Sequence, residues 1–133
     1  MKQYNVVAGV VFYKNKVLCL QKGQNKYDYI SYHWEFPGGK IELGETPEEA
    51  LTRELREELN MNVNVCEHII TVEHEYADFK VVLHAYKCIA SANQFVLNEH
   101  VRYKWADYTT IMSLDWCAAD VPIARVVVSA MNR

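Results

Sequence analysis

Hydrophobic residues recur along most of the chain at the spacing of β-strands, and in two segments at the spacing of helices. Strands are expected in six segments rich in valine, isoleucine and aromatic residues: residues 4–12, 16–21, 63–76, 80–90, 95–101 and 102–108. Residues 13–16 predict a turn, and residues 23–34 a polar, tyrosine-rich loop. Helices are expected in residues 47–59 and 121–131. Together these elements predict an α+β fold, with a mixed sheet flanked by two helices.

Both predicted helices carry sequence signals at their ends. Thr46 is a good N-cap for the first helix, and Pro47 and Glu49 suit its first turn, Glu49 as the carboxylate of a capping box. Asn60 is expected to end this helix in the left-handed conformation. Leucines four residues apart form its core-facing stripe: Leu51, Leu55 and Leu59. The second helix is predicted from a capping Asp120 that precedes a proline and apolar residues at helical spacing.

Composition and charge limit the classes of function. The chain has 133 residues, 50% hydrophobic and 23% charged, as expected of one globular domain spanning residues 1–133. A net charge of -3 provides no basic field for long nucleic acids. No apolar run approaches the roughly 18 residues that a membrane span needs, so we expect a cytoplasmic protein. The four cysteines form no C-x-x-C pair and are interpreted as buried or half-buried residues.

Three glutamates of the first helix lie beside its leucine stripe: Glu54, Glu57 and Glu58. Glu54 and Glu58 are a like-charged pair, which costs about 0.2–0.5 kcal/mol in an isolated helix. A solvated acidic face is the ordinary explanation of such a cluster. The lack of interleaved lysines and the preceding Gly38-Gly39 turn favour a site for a hard cation such as Mg²⁺, which binds carboxylate and carbonyl oxygens. Glycine allows the backbone to approach an ion closely.

The same segment resembles a known family motif. Gly39, five residues, Glu45, seven residues and then RELREELNM, from Arg53 to Met61, is similar to the Nudix box, G-x5-E-x7-R-E-U-x-E-E-x-G-U, where U is aliphatic. Asn60 replaces the last glycine of the motif, and asparagine tolerates the left-handed conformation that this position requires. The resemblance extends through VVAGVVF, WEFPGGK and AADVPIARVV. It is greatest to the MutT-like and CTP pyrophosphohydrolase branch.

This resemblance implies the α/β/α Nudix sandwich and a hydrolase of a nucleoside diphosphate linked to another group. By motif position, Arg53 orients the carboxylates. Glu45 is implied to support this arrangement without contacting the metal. The resemblance implies that Mg²⁺, or Mn²⁺ in its place, is held by the Gly38 carbonyl and the carboxylates of Glu54, Glu57 and Glu58. Glu99 corresponds to an additional loop carboxylate of MutT-like proteins, which is either a ligand or the general base.

The substrate site is also assigned from the resemblance. Asp120 lies where MutT-like proteins read the base, and an ionised aspartate suits an exocyclic amino group such as cytosine N4. Its alternative role is the helix cap described above. Phe36 and Phe79 are candidates for stacking on a base, although aromatic residues in a sheet are commonly core residues. Lys22 corresponds to a phosphate contact, and Gly39, at the start of the box, is assigned to the same substrate site.

The predicted function is a Mg²⁺-dependent nucleoside triphosphate pyrophosphohydrolase that releases a nucleoside monophosphate and pyrophosphate. Its substrates would be oxidised or modified nucleotides such as 8-oxo-dGTP, or cytosine nucleotides. One alternative is a dinucleoside polyphosphate hydrolase, indicated by Tyr76. Two others are a nucleotide sensor without turnover and a calcium-binding or structural acidic helix. The complete set of box glutamates favours an enzyme, and the protein is expected to be a monomer or a homodimer.

Overall fold

A computed structural model describes residues 1–132. The strands are β1 (Lys2–Tyr13), β2 (Lys16–Lys22), β3 (Trp34–Glu35), β4 (Gly38–Lys40), β5 (Val63–Glu75), β6 (Phe79–Ala90) and β7 (His100–Ala106). The helices are α1 (Pro47–Leu59) and α2 (Val121–Met131), with short 3-10 helices at Ile111–Ser113 and Ala118–Asp120. No helix formed by residues 1–132 is long and apolar enough to cross a membrane.

The strands form a mixed sheet that is forked beside β1. The order of neighbouring strands is β3-β2-β1-β6-β5, with β7 on β2 and β4 on β1. β1 runs parallel to β6 and antiparallel to β2 and β4. It pairs with β2 only next to their turn, at Phe12–Val17 and Tyr13–Lys16, and with β4 further along, at residues 6–8. β2 and β4 therefore pair with different parts of β1, and the sheet divides into two branches there.

The two helices cover opposite faces of this sheet, so the predicted α/β/α sandwich is confirmed. Successive residues of a strand point to opposite faces, and β1 accordingly contributes to two cores. The core on the α1 face includes Val7, Val11, Leu18, Leu20, Leu51, Leu55 and Leu59. The core on the α2 face includes Ala8, Val10, Val17, Phe36, Ile123, Ala124 and Val127. The leucine stripe of the first helix is thus buried as predicted.

The sequence interpretation was wrong at three places. Gly38 and Gly39 form a strand on β1 and not a turn. Phe79 is the first residue of β6, whereas the predicted strand began at residue 80. Residues 95–99 lie outside the strands, because this segment binds the end of α1: the Val96 N–H donates to the Leu59 carbonyl at 2.9 Å, and Asn98 Nδ2 donates to the Glu57 carbonyl at 3.3 Å. These carbonyls have no partner within the helix.

Both predicted ends of α1 are confirmed. The Thr46 side chain accepts a hydrogen bond from the Glu49 N–H, and the Glu49 carboxylate accepts one from the Thr46 N–H, which completes the capping box. Asn60 is left-handed, with φ 51° and ψ 42°. Its N–H donates to the Arg56 carbonyl at 3.0 Å, and the Met61 N–H donates to the Leu55 carbonyl at 3.2 Å. The helix therefore ends where the sequence indicates.

The left-handed Asn60 provides a test of this helix end. Asn60→Val should lower the free energy of unfolding by about 1–2 kcal/mol, because a β-branched residue is disfavoured in that conformation. Asn60→Gly should stay within about 1 kcal/mol of the wild type, because glycine adopts it freely. Urea denaturation measures both values. Equal stabilities of the two variants would contradict a left-handed residue 60.

Candidate active site

Arg53 occupies the centre of the predicted site. Its Nε and Nη2 atoms donate to the two carboxylate oxygens of Glu45 at 2.6 and 2.9 Å, the two-point geometry that makes arginine–carboxylate pairs strong. These hydrogen bonds lower the pKa of Glu45 to about 2 and raise the pKa of Arg53. The ion pair therefore joins α1 to the loop that precedes it.

The remaining donors of Arg53 organise the helix and β4. Nη1 lies 2.9 Å from a Glu54 oxygen and 3.4 Å from a Glu57 oxygen, and Nη2 donates to the Lys40 carbonyl at 3.1 Å. Glu54 has no basic residue four positions away, but the adjacent Arg53 provides its counter-charge. One guanidinium thus holds two of the predicted ligand carboxylates beside β4.

The glycines of β4 are required by close contacts. A Cβ at Gly39 would overlap the Glu54 carboxylate, with Oε1 only 2.7 Å away, and a Cβ at Gly38 would overlap the Val7 carbonyl oxygen. The backbone pairs Gly9–Pro37 and Asn5–Ile41 are hydrogen-bonded, with the Gly9 N–H and the Ile41 N–H as donors.

In an antiparallel ladder, every second pair is hydrogen-bonded to the neighbouring strand. The Gly38 and Lys40 carbonyls fall on the unbonded positions, because Gly38 is opposite Ala8 and Lys40 is opposite Val6. Both carbonyls therefore point away from β1. The Lys40 carbonyl accepts from Arg53, which leaves the Gly38 carbonyl, two residues back and on the same side, as an oxygen donor beside the carboxylates.

The carboxylates near the end of α1 are crowded. Burial, together with the negative charges of Glu54 and Glu99, raises the pKa of Glu58 to about 9. Glu57 differs, since its side chain is 62% exposed and reaches only Arg53. Among residues 1–132, no three acidic, histidine or cysteine side chains converge enough in their present rotamers to hold an ion together. The oxygen donors and their mutual repulsion nevertheless suit a hard divalent cation.

A cleft of about 690 Å³ adjoins this cluster on the α2 face of the sheet. Its lining brings together eight of the twelve predicted site residues: Lys22, Phe36, Gly38, Gly39, Glu58, Phe79, Glu99 and Asp120. Glu45, Arg53, Glu54 and Glu57 are outside the lining and surround it from α1 and its preceding loop. The cleft has the size of a small-molecule site, with apolar walls and a few polar groups.

The two predicted stacking residues have different environments. Phe36 is buried and stacks on Trp116, with ring centroids 4.4 Å apart, so it forms part of the cleft floor. Phe79 is only half-buried, and its ring lies 5.4 Å from that of Tyr27 and 5.0 Å from that of Tyr76. An aromatic wall therefore borders the cleft at Phe79.

Asp120 does not cap α2 with its side chain, so that part of the sequence interpretation was wrong. Its carboxylate accepts a hydrogen bond from the Phe36 N–H at 3.0 Å instead. The residue is 6% exposed and lines the cleft. Burial and the charge of Glu35 raise the pKa of Asp120 well above its usual range. The Asp120 side chain thus links the start of α2 to Phe36, which lies just before β4.

Glu35 and His100 are cleft residues that the sequence interpretation missed. Glu35 Oε2 accepts from Lys22 Nζ at 3.4 Å and lies 2.8 Å from His100 Nε2. Burial alone would raise the pKa of Glu35 and lower that of Lys22. The contacts with His100 and Lys22 outweigh burial for Glu35, so its pKa is lowered, and the charge of Glu35 raises the pKa of Lys22. The available sequence signal was a charged residue between two large aromatic residues, Trp34 and Phe36.

The tyrosine-rich loop has a structural role that its composition did not reveal. Tyr29 stacks between Tyr27 and Tyr76, with centroid distances of 5.3 and 5.2 Å. Its hydroxyl donates to Asp78 at 2.7 Å. The Tyr76 hydroxyl accepts from the Ala119 N–H at 2.9 Å. These contacts fix the loop against the β5–β6 turn and form one side of the cleft.

An acidic helix ordered by arginine beside a small-molecule cleft fits the hydrolase that the sequence resemblance implies. The comparisons with known proteins agree. The NUDIX domain family matches residues 3–127. The chain therefore belongs to the Nudix family and is a Nudix hydrolase of the MutT-like branch.

Individual relatives support this branch. A CTP pyrophosphohydrolase of Escherichia coli (strain K12) is 31% identical over 123 residues, which are 92% of this chain and 90% of that protein. An 8-oxo-dGTP diphosphatase of Proteus vulgaris is 41% identical over 83 residues, 62% of this chain and 72% of that protein. The solution structure of a MutT protein from methicillin-resistant Staphylococcus aureus 252 superposes with a TM-score of 0.76 at 37% identity, covering 98% of this chain and 99% of that one.

The two glycines of β4 provide a matched test of the site. Gly39→Ala should lower turnover by about 100-fold, because the new Cβ displaces the Glu54 carboxylate and small misplacements of catalytic groups have effects of this size. Its stability should change by less than about 1 kcal/mol, because Glu54 has a flexible end. Gly38→Ala should instead lower the free energy of unfolding by about 1–3 kcal/mol, because its clash is with backbone.

Steady-state kinetics and urea denaturation of both variants separate these effects. Full turnover by Gly39→Ala would show that the position of Glu54 is not important for the reaction.

Proposed function

We propose that the protein is a Mg²⁺-dependent nucleoside triphosphate pyrophosphohydrolase that releases a nucleoside monophosphate and pyrophosphate. The observation that carries this proposal is the junction of the Arg53-ordered carboxylates with a cleft that has both aromatic and hydrogen-bonding walls. Glu54, Glu57, Glu58 and the Gly38 carbonyl would hold the ion, which is Mg²⁺ or Mn²⁺ in its place, and Glu99 is either a further ligand or the general base. Such ions offset the charge of the phosphates and help to generate the attacking nucleophile from water.

The residues of the chain have separate tasks in this reaction. Arg53 keeps Glu54 and Glu57 in position and is itself held by Glu45. Glu99, close to Glu58, is the candidate general base that takes a proton from the attacking water. Water adds to one phosphorus of the anhydride, and the bridging P–O bond breaks. Lys22, which lines the same cleft, supplies a cation to the phosphates.

The cleft supports a nucleoside as the second half of the substrate. Phe79 and its tyrosine neighbours provide a face for the base, and Asp120 provides a buried hydrogen-bonding group. We propose oxidised or modified nucleotides, such as 8-oxo-dGTP, or cytosine nucleotides as substrates, in line with the names of the relatives. The dinucleoside polyphosphate alternative has less support, because Tyr76 is buried and its hydroxyl accepts from the Ala119 N–H within the fold.

A chromatographic product assay tests the reaction. The panel contains normal, 8-oxo and 5-methyl nucleoside triphosphates, dinucleoside polyphosphates and ADP-ribose, each with Mg²⁺ and with a chelator. One or more triphosphates should yield monophosphate and pyrophosphate with Mg²⁺, and the chelator should abolish the reaction. Nucleotide binding without turnover of any compound would identify a sensor and overturn the proposal.

Two charge-neutralising variants sharpen this assay. Glu57→Gln should reduce turnover by about 100-fold or more with an unchanged fold, because it removes a ligand charge and adds no volume. Glu48→Gln, in the exposed first turn of α1, is the matched control and should retain turnover. Similar activities of the two variants would contradict the assignment of Glu57 to the metal.

Asp120→Asn tests base recognition separately from stability. Asparagine can still accept from the Phe36 N–H, but it changes the donors and acceptors offered to the base. The ratio of kcat/KM between cytosine and guanine nucleotides should shift by about tenfold or more, with little change in melting temperature. Asp120→Ala should shift the same ratio and lose about 1–3 kcal/mol of stability, because the Phe36 N–H becomes unpaired. An unchanged ratio in Asp120→Asn would exclude Asp120 from base recognition.

A further inference from the structure

His100 contains a buried polar atom without a partner. Its side chain is 5% exposed and lines the cleft. Nε2 lies 2.8 Å from Glu35 Oε2, but Nδ1 makes no hydrogen bond and has almost no solvent contact. Only one other buried side-chain nitrogen or oxygen of residues 1–132, Gln21 Oε1, is in this condition. Buried polar groups are nearly always hydrogen-bonded, so Nδ1 requires an explanation.

The contact with Glu35 determines what Nδ1 offers. A carboxylate oxygen only accepts, so the proton of the neutral imidazole resides on Nε2 and is donated to Glu35. Lys22 donates to the same carboxylate oxygen and reinforces its acceptor role. In this neutral form, Nδ1 keeps an unshared lone pair. It needs a hydrogen-bond donor, and within residues 1–132 none is supplied.

We propose that His100 is a specificity-determining residue, whose Nδ1 accepts a hydrogen bond from an O–H or N–H group of the nucleoside part of the substrate. This inference rests on the proposed function, because it assumes that a nucleotide occupies the cleft. The polyphosphate is excluded as the partner, since ionised phosphates carry no donors. Mg²⁺ is excluded as well, because it prefers oxygen ligands. Sugar hydroxyls and the amino or imino groups of the base are the donors that remain.

Two substitutions separate recognition by Nδ1 from support of Glu35. The end of a glutamine side chain reaches the place of Nε2, so His100→Gln keeps the contact with Glu35 and loses the acceptor at Nδ1. The end of an asparagine side chain reaches the place of Nδ1, so His100→Asn keeps that acceptor and loses the contact with Glu35. His84→Gln, whose imidazole bonds Asn5 and Thr71 on the other face of the sheet, is the matched control.

Isothermal titration calorimetry without metal measures binding and does not depend on turnover. The probes are CMP and GMP, their 2′-deoxy and 2′,3′-dideoxy forms, and their forms without the exocyclic amino group. For the wild type, His84→Gln and His100→Asn, removal of one donor should weaken binding by about tenfold, the effect of one hydrogen bond. For His100→Gln, the same removal should change the Kd by less than about twofold. The sugar and base analogues identify which donor is used.

Three results would overturn the inference. The first is an equal donor penalty in the wild type and His100→Gln. The second is a penalty that disappears in His100→Asn but not in His100→Gln, which would indicate support of Glu35 only. The third is a wild type for which no removed donor matters, as expected if a buried water satisfies Nδ1. A wild type that binds these probes with the expected penalty but hydrolyses no triphosphate would overturn the proposed function and leave the role of His100 intact.

Discussion

Arg53 brings one positive charge into contact with Glu42, Glu45, Glu54 and Glu57, and it also donates to the carbonyl of Lys40. These groups belong to the loop before α1, to α1 itself and to β4, so the guanidinium fixes three segments relative to one another. Five N–H donors in a planar fork make this possible, and the single ammonium of lysine could not reproduce it. The acidic face of α1 is therefore ordered before any ligand arrives, because its repulsion is partly neutralised from within the chain.

The fork in the sheet explains how this acidic face reaches a cleft on the opposite side. α1 covers one face, whereas the cleft is lined by Val6 and Ala8, which point to the other face of β1. β3 lies on β2 and β4 lies on β1, so the chain crosses between the two branches at residues 36–37. The Gly9 N–H donates to the Pro37 carbonyl at 2.7 Å and secures this crossing. Gly38, Gly39 and Glu58 thus line the cleft although α1 packs behind the sheet.

Local signals in the sequence predicted the parts of the site that depend on local structure. The ends of α1, its leucine stripe and the positions of its glutamates follow from caps and helical spacing, and the structure has them where expected. Glu35 escaped prediction because its partner His100 is 65 residues away and is brought near by the pairing of β2 with β3 and β7. Asp120 was misjudged for the same reason, since its hydrogen bond to Phe36 spans 84 residues. Helix caps depend on residues a few positions apart. Strand register, and the hydrogen bonds between side chains that are distant in sequence, depend on the whole fold.

The pH dependence of stability differs between Glu45 and Glu58. Arg53 lowers the pKa of Glu45 from 4.5 to about 2, so this pair stabilises the fold above pH 4.5, and its contribution is lost as the pH falls toward 2. The pKa of Glu58 is raised from 4.5 to about 9, so the folded state loses stability as the pH rises through this range. At neutral pH, Glu45 therefore supports the fold and Glu58 opposes it. A purely structural helix would be more stable with a neutral residue at position 58. Folding stability therefore does not account for a glutamate at position 58, and carboxyl groups with strongly shifted pKa values cluster at functional sites.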